Sequence, residues 1–484
     1  MNIRCYFILL CSIVPLVGCK QSTHSTQTTS SKNVSFPVRV STNARYLVDR
    51  NNNPFPILGR TAWFIISQPV NAYQPFIDNC ISYGYNAIEI NVINHDPRGN
   101  HPPFSGNGDK PFLKRMDHTK WEGSLVYNDI NKEAPDMTTP NDKYWTYVDN
   151  FLSYCESSGI LVFLFPAYVG YSGTNQGWMK ELTVNGAEKV EAYGAWIANR
   201  YKNQKNIVWM LLGDMGTFNT RQKNTEAVLI KGLKSVSGQQ SVLYTAEANS
   251  VQTSKDQEDF GDEMTLNGVY TWDSVGIAKQ GLHAYRLNPV LPAFLLEEPY
   301  DEEGPDGNSV NPNATQPVRR FQWWGWLTTI GGYISGNGYV WPFVDPHWKN
   351  HLDTQGSRDM KQLNNFIRMI PWWELVPSGQ NGMRNLITSG EGSDSGSDYI
   401  AAAATPTGTY LAAYVPPIHS ESFTANTIGI GDLIEASWFD PTTGAFIKVS
   451  GSSFNNTGTL KFIPPVLNSA GQGDWVLVLT PCHK

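Results

Sequence analysis

From about residue 45 to residue 375 the chain alternates short apolar runs with longer segments whose apolar positions recur every three or four residues. The short runs predict strands at Phe55–Ile65, Asn86–Ile93, Ile160–Tyr168, Ile207–Gly213, Val242–Ala248, Gly268–Trp272, Val290–Glu298 and Gly332–Trp341. The amphipathic segments predict helices at Ala72–Tyr83, Lys143–Ser157, Ala187–Tyr201, Glu226–Ser235, Val318–Ile330 and Ser357–Ile370. Strand, helix, strand in repetition is the pattern of parallel βαβ units, and eight such strands predict an α/β fold of the (β/α)8 TIM-barrel type. The stretch 94–140 follows the second strand and carries Gly, Pro, Asn and Asp with little periodicity. In a barrel the βα loops build the active-site face, so this insertion is expected to wall the pocket. Beyond Trp372–Pro377 the period shortens to alternating runs at Tyr399–Ala404, Thr409–Val415, Asp432–Trp438 and Trp475–Leu479, which predict a small antiparallel β-sandwich.

The N-terminus follows neither pattern. Residues 1–18 combine Arg4, an apolar centre from Tyr6 to Val14 and a small Gly18, the profile of a secretory signal peptide. Leu16-Val17-Gly18-Cys19 resembles the bacterial lipoprotein cleavage box, which implies lipidation at Cys19 and a place in the cell envelope, anchored to the outer membrane because no Asp follows the Cys. Residues 19–35 are rich in Ser, Thr and Gln and read as a flexible tether. The expected organisation is therefore signal peptide 1–18, tether 19–35, barrel 36–375 and β-sandwich 376–484. Removal of the signal and lipidation of Cys19 leave Cys80, Cys155 and Cys482, an odd number that argues against a disulfide framework.

Composition narrows the partner. The net charge is -7, with no Lys or Arg run, so nucleic acid is excluded and a polyhydroxyl partner is favoured. Of the 16 Trp, all but Trp438 and Trp475 fall in the barrel segment, which suits a site that stacks sugar rings. There is no His-Glu-x-x-His, no P-loop, no G-x-S-x-G elbow and no paired CxxC, and neither metal nor cofactor is expected.

Two apolar runs end abruptly in acids. Ile207–Leu212 leads to Gly213-Asp214, and Ala293–Leu296 leads to Glu297-Glu298-Pro299. As candidate strands four and seven they open on the same face of a barrel, so the acids face each other. A pair of carboxyls, one protonating the leaving oxygen and the other attacking the sugar or activating water, is what glycoside hydrolysis requires. Alternation along the strand admits only one of Glu297 and Glu298 to the mouth, and the pattern does not say which.

Several segments resemble the apiosidase-like glycoside hydrolases: Phe36–Val40, Arg45–Asp49 with Asn53-Pro54-Phe55, Leu58–Trp63, Asn206–Trp209 leading to Gly213-Asp214, Glu298-Pro299-Tyr300, and Gly336-Asn337-Gly338 before Trp341. Leu375-Val376-Pro377, Trp438–Gly444 and Gly473-Asp474-Trp475 resemble the collagen-binding-type β-domain. The resemblance implies a retaining hydrolase with Asp214 as acid/base and, through its Glu-Pro pairing, Glu298 as nucleophile. The chain departs from the family's usual residues at Arg60, at Leu212-Gly213, at Ser335-Gly336 and at Thr245–Asn249, so the sugar is open. Trp63, Asn91, Glu247, Asp273 and Trp341, each near a predicted strand end, are candidate substrate-binding residues, and Arg60 is a candidate anchor for an acidic sugar. The expected function is a lipid-anchored glycoside hydrolase acting on plant or host polysaccharide side chains. A glycan-binding lipoprotein without turnover and a collagen-binding adhesin are the alternatives.

Overall fold

A computed structural model describes residues 34–95, 103–171, 175–239, 242–304, 315–417 and 421–482. The signal peptide, Cys19 and all but the last two residues of the tether lie outside the described residues. A small antiparallel sheet of Arg39–Val40, Leu47–Val48 and Pro54–Phe55 precedes the barrel.

Eight parallel strands follow: β1 (Ile57–Thr61), β2 (Ala87–Asn91), β3 (Leu161–Phe165), β4 (Ile207–Leu212), β5 (Tyr244–Glu247), β6 (Asn267–Tyr270), β7 (Ala293–Glu297) and β8 (Ile330–Ser335). Every residue in them is buried, because helices cover the outside and side chains fill the inside. The helices are α1 (Val70–Ser82), α2 (Asp142–Ser157), α3 (Met179–Tyr201), α4 (Thr220–Lys234), α5 (Ile277–Arg286), α6 (Thr315–Thr329) and α7 (Gln355–Met369). Closure comes from β8 pairing β1, with Tyr333 opposite Leu58 and Ser335 opposite Arg60.

The ladder is open at one place. Between β5 and β6 the short segment Gln252–Thr253 runs antiparallel to β6, and the next residue, Ser254, substitutes for the missing pairing. Its hydroxyl donates to the Ala246 carbonyl at 2.6 Å and accepts from the Gly268 N–H at 2.9 Å. At the lower end the Thr265 and Leu266 N–H groups both donate to the Tyr244 carbonyl. One fully buried serine thus satisfies backbone groups that would otherwise be orphaned in the barrel wall.

The C-terminal domain is two antiparallel sheets face to face. One has the order Val376–Pro377, Ala401–Ala404, Leu411–Val415, Trp475–Pro481, Leu433–Phe439, Phe446–Lys448; the other is Ile387–Ser389, Phe423–Asn426, Thr459–Phe462. A core of Ile400, Leu411, Phe423, Ile434, Trp438 and Leu477 lies between them. The outer face of the larger sheet packs on the barrel helices: Tyr414 stacks on Trp323 of α6 at 5.8 Å, and the Trp324 indole N–H donates to the Tyr399 carbonyl at 2.9 Å. Cys80 and Cys155 are buried free thiols.

Candidate active site

The carboxyl ends of the strands surround a cavity of about 470 Å³. Asp214 lines it just after β4, Glu247 and Glu297 at the ends of β5 and β7, and Asn91 at the end of β2. Trp63, Tyr168, Trp272 and Trp341 supply aromatic walls. Among the described residues, no Lys, Arg or His lines it.

The turn that carries Asp214 is strained. Leu212, Gly213 and Asp214 have φ of 67°, 124° and 52°, so three consecutive residues leave the extended region as the strand ends. Glycine is required at 213, where an added Cβ would come within 2.4 Å of the Tyr168 ring. Three hydrogen bonds hold the turn. The Gly213 N–H donates to the Glu247 carbonyl at 3.2 Å, the Val169 N–H to the Leu212 carbonyl at 3.0 Å, and the Leu212 N–H to Oε1 of Glu226 at 3.2 Å. Glu226 is on α4 and fully buried, and that burial pushes its carboxyl up to about 7.

Glu297 enters the cavity because of a bulge. On β7, Phe294 faces the barrel interior, where its ring meets Phe163 of the opposite strand at 5.5 Å, and Leu295 faces α6 beside Gly325. Simple alternation from Phe294 would aim Glu298 inward. The register slips instead between Val269 and Tyr270 of β6, so that Val269 is opposite Leu295 and Tyr270 opposite Glu297. The extra residue, Leu296, packs over Gly268, and parity reverses.

Glu297 therefore lines the cavity, and Glu298 does not. The expectation that Glu298 reaches the mouth is corrected by this bulge. Glu298 is fully buried and accepts a hydrogen bond from Gln322 of α6. Burial first, then the charges of Glu297 and Glu89, hold its carboxyl well above the ordinary range.

Around Glu297 the polar groups form a chain. The Tyr300 hydroxyl donates to Glu297, and the Trp63 indole N–H donates to the Tyr300 oxygen at 3.0 Å. Glu247 is hydrogen-bonded to Glu297 on the other side, and its pKa is raised well above the ordinary value by burial, by the charge of Glu297 and by Asp214. Glu247 is therefore the protonated partner that donates to Glu297. Deeper in the barrel lies Glu89, bonded by the Thr61 hydroxyl at 2.7 Å and likewise raised by burial and by Glu297. Tyr270 stays a phenol because burial and the carboxylates Glu297 and Asp214 raise it.

Trp63, Asn91, Glu247 and Trp341 all line the cavity with Asp214. The Asn91 Oδ1 is buried without a partner in the protein, so it is an acceptor available to a ligand. Arg60 and Asp273 require correction. Arg60 points away from the barrel interior into the helix layer, donating to Asn79 of α1 at 2.8 Å and Ser357 of α7 at 3.3 Å. Strand parity causes this: the adjacent Thr61 faces inward to Glu89, so Arg60 faces out. Asp273 is exposed and accepts from the Val275 N–H at 3.2 Å, a turn-forming role ahead of α5. Tyr168, Tyr270, Trp272 and Tyr300 also line the cavity and were not among the candidates, whereas Asn249 belongs to the departing segment Thr245–Asn249. Tyr300 alone carried a signal, two residues beyond a strand-end acid.

Among the described residues of the insertion 94–140, none lines this cavity.

Comparison with known proteins agrees with this architecture. The apiosidase-like catalytic domain matches residues 41–374, and the domain described as "Putative collagen-binding domain of a collagenase" matches residues 384–480. Comparison with curated proteins finds no match. Among solved structures, one described as a glycoside hydrolase is 19% identical with a TM-score of 0.72, covering 93% of this chain and 99% of that one. A glycoside hydrolase family 5 protein from Bacteroides vulgatus is also 19% identical with a TM-score of 0.72, covering 93% of this chain and 96% of its own. At those identities the likeness concerns the fold. With the family matched across most of its length, the chain belongs to the apiosidase-like glycoside hydrolases.

Proposed function

We propose that the protein is a retaining exo-acting glycosidase in which Glu297 is the nucleophile and Asp214 the acid/base. The observation that carries this is the convergence of strand-end carboxyls from β4 and β7 on one aromatic-walled cavity, with Glu297 held by Tyr300 and Glu247. Glu297 attacks the anomeric carbon while Asp214 gives its proton to the leaving oxygen; Asp214 then takes a proton from the water that releases the sugar from Glu297. Glu247 and Tyr300 orient Glu297 by donating to it. Tyr270, kept as a phenol, and Asn91 are placed to bind the sugar's hydroxyls.

A neutral sugar fits best. Among the described residues the lining carries four carboxyls, Asp214, Glu247, Glu297 and Glu303, and no cation to pair with the carboxylate of a uronic acid. Apiose is the family's suggestion for the residue released. The protein is proposed to act from the cell envelope, tethered through Cys19, on polysaccharide side chains. Product analysis on pectic, arabinogalactan and host-glycan oligosaccharides, including ones with terminal apiose, tests the reading. It expects release of one neutral monosaccharide with its anomeric configuration retained. Inversion would remove Glu297 as nucleophile, and binding of these glycans without turnover would favour a glycan-binding lipoprotein.

A further inference from the structure

The insertion after β2 has a cavity of its own. His95, Leu125, Tyr127 and Asn128 line a space of about 580 Å³ together with Lys180 and Glu181 of α3. The two cavities adjoin along the chain: Gln176 lines the first, while Asn175 and Gly177 on either side of it line the second.

The inner wall is buried, polar and rigid. His95 is 6% exposed and its Nε2 lies 3.1 Å from Oε1 of Glu181, itself 2% exposed. Trp178 meets the imidazole edge to face at 4.9 Å, and its own indole N–H is fixed on the Ile93 carbonyl at 3.1 Å. The bond to Glu181 places a proton on Nε2, and in the neutral ring Nδ1 is then an acceptor. Nδ1 is buried with no partner among the described residues, an arrangement that is costly unless a ligand supplies the donor. The Tyr127 hydroxyl is directed at Glu181, and burial together with that carboxylate raises its pKa, so it stays a phenol. Leu125 and the 86% exposed Val126 add an apolar edge. Buried acceptors beside an apolar edge suit a ring with hydroxyls at its rim and C–H groups on its face, which describes a sugar.

We propose that this cavity is a distal glycan subsite, which holds a further sugar of the same oligosaccharide whose terminal bond is cleaved at Glu297, with His95 Nδ1 accepting from a ring hydroxyl. The identity of the bound molecule rests on the glycosidase reading of the first cavity. The chain would cross from one cavity to the other over residues 175–177.

The test uses the full chain carrying Glu297→Gln to stop turnover, titrated calorimetrically with pectic, arabinogalactan and host-glycan oligosaccharides and with the monosaccharide each would release. His95→Phe keeps a ring against Trp178 and removes Nδ1; Asn128→Trp fills the mouth from an exposed position. For the tightest oligosaccharide, either substitution is expected to lower the affinity ratio of oligosaccharide to monosaccharide by about tenfold or more, the value of one lost buried hydrogen bond. An unchanged ratio in both variants, or no oligosaccharide bound more tightly than its monosaccharide, overturns the subsite. Cleavage by the unsubstituted protein with an unchanged ratio would leave the glycosidase reading standing without the subsite. A lowered ratio without cleavage would leave the subsite standing without the glycosidase.

Discussion

Asp214 owes its position to the two residues before it and to one carboxyl behind them. Because Gly213 sits at φ 124° with Tyr168 against its Cα, Gly213→Ala must move either the turn or the aromatic wall. A displacement of about 1 Å at a catalytic group costs on the order of 10²-fold in rate, so kcat of Gly213→Ala should fall by about that factor while the fold persists by circular dichroism. Glu226 makes a separate prediction about pH. Its carboxyl is raised from 4.5 to about 7, so across that window the folded protein binds a proton that the unfolded chain releases, and the group's contribution to stability declines as pH rises. Glu226→Gln keeps an acceptor for the Leu212 N–H and removes the titration. Denaturant melts at successive pH values should show the variant gaining on the wild type between pH 4.5 and 7, by up to about 3 kcal/mol, then levelling off. A difference independent of pH would mean that Glu226 ionises as readily folded as unfolded.

At the scale of elements, α6 joins the two halves. Its Arg319 is fully buried and forms a two-bond pair with Asp474 of the C-terminal domain at 2.7 Å each, plus a 2.5 Å contact to Asp359 of α7. The Tyr414 hydroxyl also donates to Asp474, at 2.9 Å. Arg319→Ala leaves two buried aspartates without their cation and should cost about 3–5 kcal/mol, read as a lowered melting temperature with little change in KM. The eight barrel strands were all readable because each is a short β-branched or aromatic run bounded by turn residues. Helix α5 was not: Ile277–Arg286 is only ten residues long, and Ala278, Gly281 and Ala284 on its buried face are small, so few large apolar side chains mark its period. The strands Ile387–Ser389 and Phe446–Lys448 are three residues long and largely exposed, and give no alternating run to detect. The parity of Glu297 and Glu298 depends on a bulge relative to β6, a relation between two strands that neither contains alone. Arg60 fell on the wrong side for the opposite reason, since local alternation places it correctly once the inward face of β1 is known from Thr61 and Glu89.

For the molecule as a whole, the barrel and the outer face of the sandwich share one buried core that runs from Phe163 and Trp323 through Phe366 to Tyr414, Phe439 and Val476. A chain ended at residue 375 would expose the apolar side of α6 and α7, including Trp323 and Phe366, and is expected to aggregate or melt well below the full-length protein. A truncated protein as stable as the intact one would show that the sandwich is an independent module. The interior of the barrel concentrates carboxyls whose places differ: Glu297 lines the cavity, while Glu298, one residue on, is buried against Gln322. The most direct test is to measure kcat/KM of Glu297→Gln and Glu298→Gln side by side, with Asp214→Asn as reference, on whichever oligosaccharide the wild type cleaves. The account predicts a loss of about 10³-fold or more for Glu297→Gln and Asp214→Asn, and less than about tenfold for Glu298→Gln. Near-normal turnover by Glu297→Gln together with a dead Glu298→Gln would contradict it.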